Sequence, residues 1–129
     1  MRYFLLAFLT FTLTACSTSE PDNTEQPEYE NLTELRAPET QNYESSKVYI
    51  DSVAVIEQGL LISGNLPDGC SRLHKASHSM QGDSVKIRIT AWRPTNQMCT
   101  QALTPFSFIY QDITQQKLEN ATDITVNQN

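Results

Sequence analysis

The 129-residue chain predicts an all-β fold, an antiparallel two-sheet sandwich of six or seven strands. Three observations carry that expectation. From Val48 onward apolar and β-branched residues recur at every second position. The runs are short and bounded by Gly, Pro, Asn and Asp, and no stretch sustains an apolar stripe of helical period.

Taken in order, Lys47 to Glu57 (K-V-Y-I-D-S-V-A-V-I-E) reads as one or two strands ending at Gln58-Gly59. Leu60 to Leu66 is the next, closed by Pro67-Asp68-Gly69, where Pro presets its own φ and Gly accepts a positive one. Leu73 to Met80 alternates more weakly, and Gln81-Gly82-Asp83 turns the chain into Ser84 to Arg93. That strand has the clearest pattern in the protein: Val85, Ile87, Ile89 and Ala91 fall on one face, Lys86, Arg88, Thr90 and Trp92 on the other. Pro94 ends it. Phe106 to Ile113 follows, with Phe106, Phe108 and Tyr110 in one parity, and Ala121 to Val126 supplies a last strand.

The first 47 residues have a different character. Met1-Arg2 gives a short positive end, and Tyr3 to Leu13 carries no charge, which reads as a secretion signal over residues 1–15. About 11 apolar residues reach only about half of a roughly 30 Å hydrocarbon layer, so a permanent span is not expected. The signal closes on Leu13-Thr14-Ala15-Cys16, which resembles the lipobox of bacterial lipoproteins. That resemblance implies that Cys16 becomes a lipidated mature N-terminus, carrying a diacylglyceryl thioether and an N-acyl chain. Several acyl chains hold a protein on a membrane where one is marginal. Ser17 is not the Asp that resembles an inner-membrane retention signal, so in a Gram-negative cell the expected address is the outer membrane, facing the periplasm.

Residues 16–47 read as a disordered tether. Eight acids (Glu20, Asp22, Glu25, Glu28, Glu30, Glu34, Glu39, Glu44) stand against Arg36 and Lys47, with three prolines, no glycine and few apolar groups. The remainder, 48–129, holds six bases against seven acids. A nearly neutral domain has no broad electrostatic footprint for nucleic acid, and none is expected as a partner.

The stretches G-N-L-P-D-G-C-S-R-L at 64–73 and R-P-T-N-Q-M-C-T-Q-A-L-T-P-F at 93–106 are similar to a family of small bacterial lipoproteins whose single domain is an immunoglobulin-like β-sandwich of unknown function. The resemblance implies that Cys70 is bonded to Cys99, and it brings no catalytic residues. A domain of about 80 residues buries only around 60 to 65 per cent of its unfolded surface and benefits from such a staple. Closing a loop of about 30 residues contributes about 3.5 kcal/mol in the chain-entropy account, and secretion supplies the oxidising compartment.

Chemistry is sparse. His74, His78 and Met80 share a strand parity, with Met98 near the cysteine pair, and such soft ligands suit Cu(I) or Zn. A disulfide-bonded cysteine is no thiolate, however, so the expectation is two solvated polar histidines on a weak strand and no metal or other cofactor. No Gly-x-Ser-x-Gly or other positioned nucleophile accompanies the histidines, so no enzyme is expected. Trp92 has two readings. In one it heads an exposed aromatic and basic strip with Lys86, Arg88 and Arg93, a composition that interfaces favour. In the other it folds over the sandwich rim and the basic residues are merely solvated. The expectation is therefore a lipid-anchored, extracytoplasmic, non-enzymatic module whose partner is an envelope protein or glycan. The alternatives are an inhibitor of an extracytoplasmic hydrolase, presenting the braced loop 94–105, and a soft-metal carrier.

Overall fold

The alternating stretch from Val48 onward does form strands, and a computed structural model describes the chain for Tyr29 and residues 31–127. The expected signal peptide and the lipid attachment point Cys16 lie outside the described residues. In chain order the elements are β1 (Tyr43–Ser46), β2 (Tyr49–Ile56), β3 (Gly59–Leu66), β4 (Arg72–Gln81), β5 (Ser84–Pro94), β6 (Thr104–Tyr110), α1 (Gln115–Glu119) and β7 (Asp123–Val126). They make the expected two-sheet sandwich: β2, β3 and β6 in one sheet, and β1, β5 and β4 in the other, with β7 also on β5. Inward-facing Leu60 and Ile62 of β3, Phe106, Phe108 and Tyr110 of β6, Leu73 of β4 and Val85, Ile87 and Ile89 of β5 fill the space between the layers. Burial of such side chains, each worth about 1.5–3 kcal/mol, is what drives the two layers together.

Two features were not legible as local pattern. The chain leaves β6, crosses to the other sheet through α1 and returns as β7, which runs parallel to β5, as a crossover connection permits. Thr114 caps the helix by accepting from Lys117 N at 3.4 Å, and Leu118, 3% exposed, is its buried residue. A five-residue helix is too short to announce itself by periodicity. Phe106 to Ile113 therefore stops being strand at Tyr110.

The expected free tether does not hold for residues 31–46. Thr33 N donates to Ser107 O on the open edge of β6, Arg36 N donates to Leu73 O on the open edge of β4 at 2.8 Å, and Thr95 N donates to Asn42 O at 3.0 Å. The segment then enters the sheet as β1, pairing antiparallel with Ala91 to Pro94 of β5. It forms a belt that closes the side where both sheets present an edge strand, and this satisfies backbone groups that would otherwise be left for another chain to pair.

β1 and β7 share the remaining edge of β5, leaving Ile89 between them. Asn127 fills that gap with its side chain. Its amide accepts from Ile89 N at 2.6 Å and donates to Ile89 O at 3.0 Å, in place of a paired strand residue. At φ 50° Asn127 occupies the left-handed region that asparagine tolerates better than most residues.

Candidate functional site

The Pro67-Asp68-Gly69 corner is built around one buried carboxylate. Asp68 Oδ1 accepts from Cys70 N (2.9 Å), Ser71 N (2.8 Å) and Ser71 Oγ (2.9 Å), the local capture of backbone N–H groups for which Asp suits turns. Ser71, itself fully buried, shares a further hydroxyl contact of 2.7 Å with Ser46. Asp68 Oδ2 receives Arg93 Nη1 at 2.9 Å, and Glu44 Oε1 lies 3.4 Å from Arg93 Nε. Burial alone would raise the Asp68 pKa. The Ser71 hydroxyl, the N–H groups of Cys70 and Ser71 and the Arg93 charge outweigh it and hold the carboxyl below its ordinary value.

The same corner carries the disulfide, which joins Cys70 to Cys99 with their Cα atoms 5.5 Å apart. Gly69 N donates to Thr100 O at 3.0 Å, and Thr104 Oγ1 donates to Asp68 O at 2.9 Å. A Cβ at Gly69 would run into the Thr100 side chain, so this position needs glycine for close approach. The loop between β5 and β6 is thereby held at its root, while its apex is open: Met98 is fully exposed and Leu103 is 60% exposed.

The proposed strip of Trp92, Lys86, Arg88 and Arg93 is not one surface. Trp92 is only 8% exposed, its indole N–H donates to Arg36 O at 2.9 Å, and Tyr43 packs edge-on against it at 6.3 Å. The belt covers it. Arg93 lies on the opposite parity and is committed to Asp68 and Glu44. Trp92 and Arg93 therefore anchor structure and do not form a free binding face, and only Lys86 and Arg88 remain exposed.

The outward side of β5 around those two cations is concave. A groove of about 870 Å³ lies over it, lined by Lys86, Arg88 and Thr90 of β5, by Ser77 and Ser79 of β4, and by Ser45 to Tyr49 where β1 passes to β2. Lys47 belongs to that rim, and composition gave no reason to connect it with β5 some forty residues away. Pairing across β4 and β5 explains the floor: Ser77 stands opposite Arg88, and Ser79 opposite Lys86.

The histidines part company. A register shift between Leu73 and Lys75 changes which parity of β4 faces inward, so Ala76, His78 and Met80 pair with the inward residues Ile89, Ile87 and Val85. His78 Nδ1 lies 2.6 Å from the Tyr110 hydroxyl across the two sheets, with the rings edge to face at 5.7 Å. Its expected role as a solvated polar residue gives way to an inter-sheet hydrogen bond. Burial, with Asp112 nearby, raises the Tyr110 pKa. His74 sits at the irregularity, and Met80 is 37% exposed near the end of β4. Among the described residues, Asp68, Cys70 and Cys99 form a cluster of ligand types with ligand atoms within 4.8 Å of one another. Its two sulfurs are bonded to each other and its carboxylate is engaged by Ser71 and Arg93.

Comparison with known proteins places this geometry in a family context. A family model described as the ORF11 beta-sandwich domain matches residues 60–129, just over half of the chain. Among curated proteins, the chain is 46% identical over 50 residues to an "Uncharacterized 10.2 kDa protein in HgiCIIM 5'region" of Herpetosiphon aurantiacus, covering 39% of this chain and 53% of that protein. It is 46% identical over 46 residues to an "Uncharacterized 10.2 kDa protein in HgiBIM 5'region" of the same organism, covering 36% and 56%. The chain thus spans about half the length of the curated relatives it matches. No solved structure matches it.

Proposed function

The chain belongs to the ORF11 beta-sandwich domain family, and from that footing we propose that it is a membrane-anchored extracytoplasmic lipoprotein, a non-enzymatic binding or structural module of the cell envelope. The observation that carries this reading is Leu13-Thr14-Ala15-Cys16 directly after an uncharged apolar run. A disulfide at Cys70–Cys99 supports it, since such bonds persist in oxidising compartments. Two polar side chains are engaged within the fold: Asp68 by a turn and an ion pair, and His78, one of the ligand candidates in the sequence, by Tyr110. The partner in this reading is an envelope protein or glycan, and the bilayer is reached through Cys16.

The test is fractionation of cells carrying the full chain or Cys16→Ser. The native chain is expected in the membrane fraction with an N-terminal peptide heavier by its acyl groups, and the variant in the soluble extracytoplasmic fraction. An unmodified Cys16 thiol in membrane-derived protein sinks the reading.

The second reading, an inhibitor of an extracytoplasmic hydrolase, is favoured by one observation: the loop braced by Cys99 presents Met98 and Leu103 to solvent. Such a loop is pre-organised, which lowers the entropy lost on entering a cleft. The purified chain is then expected to inhibit at least one member of a protease and lysozyme panel, with Met98→Asp relieving inhibition at least about tenfold, the scale of a buried anchor residue. Panels left untouched remove this reading.

A further inference from the structure

The groove over the outward face of β5 gathers three of the basic residues. Lys86 and Arg88 rise from its floor and Lys47 stands on its rim, and none of the three takes part in an ion pair among the described residues. By contrast Arg36 in the belt and Arg93, which meets the belt at Glu44, both have carboxylate partners. Residues 48–129 as a whole are nearly neutral, six bases against seven acids, so three cations on one hollow concentrate positive charge locally. The remaining lining is mixed: Ser77, Ser79 and Thr90 lie beside Arg88 and Tyr49 at the rim, with Val48, Ile87 and Ile89 among the apolar residues.

We propose that this groove binds an anionic glycan, a linear oligosaccharide bearing carboxylate, phosphate or sulfate groups. The inference rests on the binding-module reading above and names its ligand class. Arg88 offers a planar fork that matches a carboxylate or phosphate in two hydrogen bonds, and Lys47 and Lys86 add point charges to the same groove. Ser77, Ser79 and Thr90 donate to and accept from ring hydroxyls, which a purely charged surface does not do. Tyr49, 46% exposed, offers a ring face to the sugar. A flat anionic bilayer fits less well, because the cations lie in and around a hollow of about 870 Å³ rather than on a protruding apolar rim. The structure also explains why Trp92 takes no part: the belt has already filled that end of β5.

The experiment uses the full mature chain and measures binding of hexagalacturonate by calorimetry, with maltohexaose as the neutral counterpart and phosphatidylglycerol vesicles as the lipid arm. The expected result is binding of the acidic sugar, weakened by added salt as screened charges require, and no binding of the neutral one. Arg88→Ala is expected to weaken it roughly tenfold, the scale of one lost charge-assisted bond. Lys47→Glu with Lys86→Glu and Arg88→Glu abolishes it, while Lys117→Glu on α1 leaves it unchanged. Thermal unfolding of each variant verifies that the exposed substitutions have not unfolded the domain. Equal binding of both sugars, binding to the vesicles alone, no binding to any of the three probes, or full affinity in the triple variant overturns the proposal. Such a failure leaves the anchor reading intact, because the Cys16 fractionation is read independently.

Discussion

Asp68→Ala is expected to lower the unfolding free energy by about 3 kcal/mol, a loss on the scale of removing several hydrogen bonds to a buried charge and leaving Arg93 with Glu44 as its one carboxylate partner among the described residues. The carboxylate receives four donors from Cys70, Ser71 and Arg93 and is 5% exposed. Asp68→Asn keeps an acceptor for the turn and forfeits the charge facing Arg93, so a smaller loss is expected from it. The pH dependence has a definite sign. The folded carboxyl titrates below its ordinary value of about 3.8, so above that value both states are ionised and the contribution is complete. As pH falls through it, the unfolded chain takes up the proton first and stability drops until the folded group is protonated too. Denaturant midpoints measured from neutral pH to below 4 are expected to fall more steeply for the native chain than for Asp68→Asn. Parallel curves overturn the assignment.

Replacing Cys70 and Cys99 together with Ser is expected to cost about 3.5 kcal/mol, the chain-entropy value for a closed loop of roughly 30 residues. For a domain of this size that corresponds to a fall in melting temperature of roughly 20 °C. The denaturant slope is also expected to steepen, because an uncrosslinked unfolded chain exposes more surface. An unchanged midpoint would show that the Asp68 turn and the Gly69–Thr100 contact hold the corner without covalent help.

How much of this was legible beforehand depends on the range over which the deciding interaction acts. Val85, Ile87, Ile89 and Ala91 are buried as their alternation requires, and so are Phe106, Phe108 and Tyr110. The belt was not legible. Its composition is that of a disordered acidic segment, and what orders it is a handful of distant partners, Ser107, Leu73 and the Trp92 indole, which leave no local trace. His78 was misread for a related reason: a single irregularity at Leu73 to Lys75 changes which parity of β4 faces inward, and nothing in H-K-A-S-H-S marks it. The Asp68 turn did have a signal, an Asp followed two and three residues later by the N–H groups it binds, but its ion pair with Arg93 depends on the sandwich bringing positions 68 and 93 together. Of the basic strip, Lys86 and Arg88 were placed by alternation, whereas Lys47 joins them through the pairing of β1 with β5.

Because the belt is fastened from Thr33 onward, the leash available to a lipid at Cys16 is much shorter than the composition of residues 16–47 implies. Sixteen residues lie between those two points, and covalent geometry limits them to a span of about 55 Å. With the anchor proposed above, the sandwich works close to the bilayer. A ligand long enough to fill the β5 groove must then be met within a few nanometres of the membrane surface.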